Sequence, residues 1–488
     1  MTVVPAAEYR PDIADINVTF TDQLLNVLPS ANGYIPMKNW APLTADFPEN
    51  PLGAFAVRAL DQSVHVFGGT TTGLYLLNNT DLTWQEVSKS AGAYHASHDA
   101  PWSFALFGNY VIAVNQNDSP QVYQIGVDSA FRDLGGSPPR AGLVKVWGDF
   151  VCLMMLPDNP NRVHWSGLND AEFWTPGTNN CDYQDFPDGG RVQGSTEATN
   201  PLIFMQSAIY AGTFVPGSDI IFTFHKVQDK RGAKSPWGIA CRGSYAFFAD
   251  EGGFFQISSD GSQVLPIGYE KVDRTVFTRM AASNLSEMSA AIDPFYTRVY
   301  WAMDYNGTGI YNEMLVYDWG VQQWSIVQIS ATDIVSFYTA GYTLEGLDEV
   351  STNLDTLPFS LDSKAWQGGA PILGAFRNNR LGSFTAENME ASVASPELAA
   401  TDGSIQRTRR VYPIVDTDQL FVSVGVRFRR NQYEPVKWLP ETSPSYNTGI
   451  AHKRSRARFH RFLVRIPAGE EWQHINGFDV AFEAAGWR

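Results

Sequence analysis

One short pattern recurs through most of this sequence and limits what it can fold into. A polar turn leads into an aromatic or β-branched run, which is followed by a second turn and a second run. The clearest copy is Gly243 to Gly268, GSYAFFADEGGFFQISSDGSQVLPIG. Tyr245 to Ala249 is apolar at successive positions, as a strand covered on both faces must be. Glu251-Gly252-Gly253 can take the positive φ of a tight hairpin, Phe254 to Ile257 returns, and Ser259-Asp260-Gly261-Ser262 turns again. Three antiparallel strands in so few residues make up most of one β-propeller blade.

Other copies begin at Gln62, Gly108, Gly148, Gln206 and Thr297, giving steps of 46, 40, 58, 37 and 54 residues along the series. Four-stranded blades repeat at about 40–50 residues, so the long steps imply inserted loops such as Asn169 to Asn200. Each unit carries a second strand, for example Gly73 to Leu77, Gln121 to Ile125 or Glu313 to Asp318. A Trp often follows, as at Trp84, Trp174 and Trp324. Such a Trp suits the seam between blades, or a stacked ligand. The expected fold is all-β: a β-propeller-like body of about six blades with a small C-terminal β domain. Residues 1–58 read as an extended N-terminal arm or leader, 59–330 as the propeller body, 331–403 as a last blade or linker, and 404–488 as a separate basic β domain.

Charge distinguishes that last segment. The chain carries a formal net charge of −16, yet residues 404–488 hold 14 Lys and Arg against 8 Asp and Glu, and the remainder holds 21 against 43. A uniformly acidic chain repels phosphates, so any contact with nucleic acid falls to the basic end. Its arginines form three groups: Arg407, Arg409 and Arg410; Arg427, Arg429 and Arg430; and Arg454, Arg456, Arg458, Arg461 and Arg465. Alternate residues of a strand share a face, which puts Arg454, Arg456 and Arg458 in one stripe. The stripe is either a solvated face balancing acidic groups of the same chain, or a docking face for an acidic partner or for DNA phosphates.

Catalytic and metal signatures are weak. His95 and His98 lack the further ligands a zinc site needs. Gly68 to Gly73 has no P-loop lysine and reads as a hairpin turn. Asp81 to Trp84 only loosely matches the sialidase Asp-box, and Asp185 and Asp188 lack EF-hand spacing. No nucleophile elbow occurs. The expectation is no catalytic residue, no metal and no cofactor. Cys152, Cys181 and Cys241 are too few and too far apart for a disulfide framework. Neither a signal-peptide pattern nor an apolar run of membrane-spanning length is visible. Synthesis in a reducing cytoplasm is expected, with the Asn-x-Thr triplets at Asn17, Asn78 and Asn306 as chance matches.

Several ordered blocks resemble the tail-hub, or packaged-DNA-stabilisation, proteins of short-tailed double-stranded-DNA bacteriophages, and more distantly the nozzle proteins of other short tails. The blocks are Asn26-Val27-Leu28 with Gly33-Tyr34; Ser218 to Thr223 (SDIIFT), similar to a buried strand of that family; Gly238 to Ala249 with Gly261 to Val272; Asn312 to Trp324 (NEMLVYDWGVQQW); and the basic segment Arg454 to Gly486. The resemblance implies a structural virion protein of the tail. It would form a homo-oligomeric ring, commonly a hexamer, below the portal and adaptor rings. That ring would contact tail needle, spike or fibre proteins, retain packaged DNA, touch the genome transiently and without sequence preference, and provide the exit channel for ejection. The alternative from the residues is a propeller-type tail protein that binds or cleaves a host surface glycan.

Overall fold

The computed structural model describes residues 2–13, 19–281, 284–338, 353, 371–399, 403–429 and 434–486. Among them the only α-helix is Asp273–Arg279, here α1; nearly everything else that is regular is strand.

Seven four-stranded antiparallel sheets follow one another along the chain and form the propeller. Blade 1 comprises Ala54–Arg58, Val64–Gly69, Leu74–Leu77 and Trp84–Glu86. Blade 2 comprises Ser103–Phe107, Tyr110–Val114, Gln121–Gln124 and Arg132–Asp133. Blade 3 comprises Leu143–Trp147, Phe150–Met154, Arg162–Trp165 and Asp182–Asp185. Blade 4 comprises Val192–Ser195, Leu202–Met205, Ala208–Phe214 and Phe222–Asp229. Blade 5 comprises Ala240–Arg242, Tyr245–Asp250, Gly253–Ser258 and Val264–Pro266. Blade 6 comprises Ser289–Ile292, Arg298–Met303, Tyr311–Asp318 and Gln323–Ala331.

Blade 7 accounts for the difference from the count of about six. Asp333–Tyr338, Pro371–Arg377 and Arg380–Ser383 supply three strands, and Ala41–Pro42 supplies the outermost, pairing Gly382 with Pro42 and Ser383 with Ala41. The two ends of the propeller segment are thus hydrogen-bonded in one sheet, which leaves no open seam in the ring. Phe47 fixes the closure, packing edge-on against Trp84 of blade 1 at 4.7 Å and against Phe376 of blade 7 at 5.6 Å. The repeat is hard to see here because more than thirty residues separate the first two strands and the fourth comes from the other end of the chain.

The recurring pattern seen in the sequence is the buried second strand in five blades. In Tyr245–Asp250 every residue after Tyr245 is buried, and in Arg298–Met303 all are. In blade 4 the pattern marks the third strand instead, because Leu202–Met205 is the second. Trp174 and Trp324 are buried, and Trp84 is half-buried between blades 1 and 7. Trp324 is fully buried among Phe254, Trp301 and Tyr317, and its indole N–H donates to the Ile267 carbonyl at 2.9 Å. Trp174 donates to the Ala171 carbonyl at 2.8 Å, and Trp84 donates to the Thr44 hydroxyl at 3.3 Å.

The N-terminal segment is not an extended arm. Thr2–Pro5, Val27–Ser30 and Gly33–Pro36 join Ile475–Ala484, Gln406–Val415 and Ser455–Ala457 in one six-stranded sheet. Leu24–Leu25 joins Ala391–Ala394, Leu398–Ala399, Phe459–Ile466, Phe421–Arg427 and Lys437–Trp438 in a second. The inner faces meet through residues such as Val411, Val422, Phe462, Val464, Phe478 and Val480. The two chain ends therefore build one β-sandwich. Its C-terminal part begins before residue 404, at Ala391, and Ala54–Arg58 belongs to blade 1 rather than to a leader. Of the strands described within 331–403, Asp333–Tyr338, Pro371–Arg377 and Arg380–Ser383 belong to blade 7, and Ala391–Ala394 and Leu398–Ala399 to the sandwich.

Sandwich and propeller share a core. Val27 and Tyr34 belong to the same buried cluster as Phe254, Trp301 and Trp324 of blades 5 and 6. Polar contacts reinforce the junction. The buried Arg298 of blade 6 pairs with Asp318 at 3.1 Å and donates to the Pro29 carbonyl at 3.0 Å. The Asp12 carboxylate accepts the N–H groups of Arg274 and Thr275, each at 2.7 Å, at the start of α1. Those donors have no partner within the helix, and a carboxylate is the preferred cap for them.

Candidate functional site

The basic end resolves into two kinds of arginine. Glu397 of the sandwich, almost fully buried, takes Arg427 Nε at 2.7 Å and Arg429 Nη2 at 2.7 Å. Arg461, also buried, pairs with Asp22 and donates to the Ser395 carbonyl at 3.3 Å. Arg465 bridges Glu441 at 2.7 Å and Glu390 at 3.2 Å and covers the Phe421 ring at 4.7 Å. Arg409 pairs with Glu483 at 2.6 Å. These five are neutralised within the chain. Burial had no signal in the sequence, because their partners lie in distant segments.

The others face outward. Ser455–Ala457 is the edge strand of its sheet, and exposed Arg454, Arg456 and Arg458 alternate with buried Ser455 and Ala457. Arg407 stands directly opposite Arg456 on the neighbouring strand and is also exposed. Arg456 donates to the Ala485 carbonyl at 3.2 Å. Half-buried Arg410 follows Arg409 along the same strand. The result is a cationic sheet edge. Arg430 lies outside the described residues.

The second feature spanning the molecule is the propeller axis. A funnel of about 280 Å³ opens where the inner strands of the blades begin, and a cavity of about 480 Å³ continues between those strands. Trp102 and Trp237 line both, and spaces of this size cannot admit a nucleic-acid duplex roughly 20 Å across. Within it Lys145 pairs with Glu197 at 2.8 Å, and the Cys241 thiol lies beside them; the residue is exposed to the channel, yet the protein around it displaces enough water to push the thiol up to about 12. Asp333 starts the inner strand of blade 7. It is half-buried at the border of the channel, and the protein packed around it raises its carboxyl to about 7.

The weaker candidates resolve into structural contacts. His95 Nδ1 lies 3.0 Å from Asp118 Oδ1, and His98 lines the funnel. Asp185 is bound bidentately by Arg162, and Asp188 is held by Tyr210 and Lys226. Thr70 and Gly73 close the hairpin after Val64–Gly69, with the Gly73 N–H donating to the Thr70 hydroxyl at 2.9 Å. Of Ser218 to Thr223, Ile221 and Phe222 are buried while Ile220 is 62% exposed, at the start of the outer strand of blade 4. Among the described residues, no three or more His, Cys, Asp or Glu side chains are grouped to hold a metal ion, and no helix is long and apolar enough to cross a membrane.

No family model matches the chain, and no curated protein matches its sequence. Among solved structures, it is similar to the computationally designed Ika8 protein at 9% identity, covering 78% of this chain and 97% of that one, with a TM-score of 0.40. The extracellular domain of the putative one-component system BT4673 from B. thetaiotaomicron is similar at 9% identity over 82% of this chain and 47% of that one, with a TM-score of 0.43. A chain of the mitotic checkpoint complex is similar at 9% identity over 73% and 95%, with a TM-score of 0.40.

Proposed function

We propose that this chain is a structural, non-catalytic subunit of a ring assembly, in the manner of the tail-hub and nozzle proteins it resembles. Copies, commonly six, would surround a duplex-wide lumen below a portal–adaptor ring, retain packaged DNA, and release it at ejection. The observation that carries this reading is the cationic edge of Arg407, Arg454, Arg456 and Arg458, kept outward while most other arginines of the segment are spent on internal partners. Charged side chains on an edge strand also discourage non-specific sheet extension. The exposed guanidiniums of this edge, beside an otherwise acidic chain, fit carboxylates of a neighbouring copy or an adaptor subunit, and Arg407, Arg454 and Arg458 offer a fork-like geometry for them.

The rest of the architecture suits that role. A closed propeller welded to a sandwich through a shared core is stiff, and its own axis is too narrow for duplex DNA, so a DNA passage has to lie between copies. The acidic surface would keep such a passage from gripping phosphates.

Mass photometry of the purified chain, alone and with a portal–adaptor complex, tests the proposal. The expected result is a discrete ring in one of the two conditions, weakened by raised salt and abolished by combined Arg407→Glu, Arg454→Glu and Arg458→Glu substitution. A monomer in both conditions at every salt concentration would overturn it.

A further inference from the structure

On the flank of the propeller, between blades 4 and 5, lies an open cleft of about 770 Å³ that the assembly reading leaves unused. Gln206, Ser207, Gln228 and Lys230 form one wall. Asp250, Glu251 and Phe255 form the other, and Tyr269 and Asp273, from the segment leading into α1, complete it.

The charged groups of the cleft are largely matched. Arg231 pairs with Asp250 at 3.3 Å and lies 3.8 Å over the Phe255 ring; Lys234 pairs with Glu251 at 2.9 Å. Lys230, in left-handed backbone at φ 62°, is exposed at the rim. Asp273 is unusual. It is only 8% exposed, one carboxyl oxygen accepts the Phe254 N–H at 3.1 Å, and the other has no hydrogen-bond partner. A Cβ on Gly253 would fall 2.1 Å from that free oxygen, and one on Gly268 would fall 1.8 Å from its bonded twin. Bare backbone on both sides is what lets a buried carboxyl sit at this wall, and an unmet buried acceptor costs stability unless something completes it. At the rim Tyr269 is 66% exposed, a large flat ring held out into solvent.

The chemistry narrows the occupant. An apolar ligand would desolvate the paired ions of the cleft. A polyanion would meet a carboxyl beside Arg231 and Lys234 alike. A ligand rich in hydroxyls can donate to carboxylates and to amide carbonyls, accept from ammonium, guanidinium and amide N–H groups, and lay its C–H face on an aromatic ring. We propose that this cleft binds a short carbohydrate segment, with Tyr269 as the stacking platform and the free oxygen of Asp273 as the buried hydrogen-bonding anchor. The proposal is independent of ring assembly, since the cationic edge contributes nothing to the cleft.

The test applies the full-length chain to an array of neutral and uronate-containing oligosaccharides, with a hexathymidylate oligonucleotide as the polyanion control, and quantifies hits by calorimetry. At least one saccharide is expected to bind. Tyr269→Ala should weaken it at least tenfold, and Asp273→Ala at least fivefold. Asp273→Asn, which keeps a hydrogen-bonding oxygen and adds a donor, should hold affinity within about twofold. Arg454→Glu should leave binding unchanged, which separates this site from the assembly surface. Circular-dichroism melts check that each variant is folded. No saccharide bound above the Tyr269→Ala level, binding equal in Asp273→Ala and wild type, or preference for the oligonucleotide would each overturn the proposal.

Discussion

The side-chain carbonyl of Asn26 accepts the backbone N–H of Gln328 at 2.8 Å, across 302 positions of sequence. The Asn26 amide group donates to the Glu390 carbonyl at 2.8 Å, and its own N–H donates to the Ile326 carbonyl at 2.9 Å. One residue thus stitches the N-terminal strands, the outer strand of blade 6 and the start of the C-terminal sandwich. It does so at φ 56°, a left-handed conformation that Asn tolerates better than most side chains.

Asn26→Ala removes both side-chain bonds and places a β-carbon in a disfavoured backbone region. The expected cost is about 2–3 kcal/mol, combining about 1 kcal/mol per hydrogen bond with the left-handed penalty. Asn26→Gly keeps the backbone comfortable and should cost less than Asn26→Ala. Urea denaturation followed by fluorescence measures the difference. The wild type should unfold in one transition, because the shared core leaves no seam between the two parts; two well-separated transitions would contradict that coupling.

Glu397 offers a sharper contrast among the arginines. With its carboxylate deleted, Arg427 loses this ion pair in a setting where its side chain is only 7% exposed, and keeps its donation to the Glu434 carbonyl. Breaking a buried pair from one side costs about 3–5 kcal/mol, whereas an exposed pair contributes at most about 1 kcal/mol. Glu397→Ala should therefore be severely destabilising and Glu483→Ala, which frees exposed Arg409, nearly neutral. Similar midpoints for the two variants in thermal melts would refute this division of the basic segment into internal and outward-facing groups.

Much of this was legible from local pattern, and the rest was not for definable reasons. Runs such as Tyr245 to Ala249 announce a strand covered on both faces, because nothing else buries consecutive aromatic residues so economically. The pattern is local, so it survives degeneracy between blades. Blade 7 and the sandwich depend on pairings such as Gly382 with Pro42 and Val4 with Phe478. Nothing in a short window encodes those partners, so residues 1–58 read as an arm. The arginines show the same limit. Spacing put Arg454, Arg456 and Arg458 on one face, while the fate of Arg461 was decided by Asp22 at the far end of the chain. Asp273 carried no sequence signal beyond the glycines that flank its site.

Asp333 should make stability depend on pH. Burial raises its carboxyl to about 7 in the folded chain, against an unfolded value near 4. Between those values the unfolded chain has released the proton and the folded chain still holds it, so stability falls as pH rises from about 4 to about 7 and then levels off. The contribution is about 2–4 kcal/mol across that window. Asp333→Asn abolishes it, and should therefore gain on the wild type at pH 8 and match it at pH 4. Urea midpoints of both proteins across that range give the result, and parallel curves would show that the carboxyl ionises normally.

The cysteines provide a check on the axial channel. Cys152 and Cys181 are buried, while Cys241 reaches the channel beside Lys145 and Glu197. A thiol reacts as its thiolate. Loss of surrounding water holds Cys241 near 12, although it is exposed to the channel; burial holds Cys181 near 11 and pushes Cys152 upward as well, so little thiolate is present at pH 8. In the native protein, iodoacetamide should modify Cys241 first and slowly, at well under a tenth of the rate of a free thiol, and leave the other two untouched. In denaturant all three should react at the rate of free thiols. Intact-mass spectrometry over time distinguishes the stages. Lys145→Ala removes the neighbouring cation that favours the Cys241 thiolate, and should slow the first modification further. Acceleration instead would mean that the Lys145 side chain, by occupying the channel, is what limits access to the thiol.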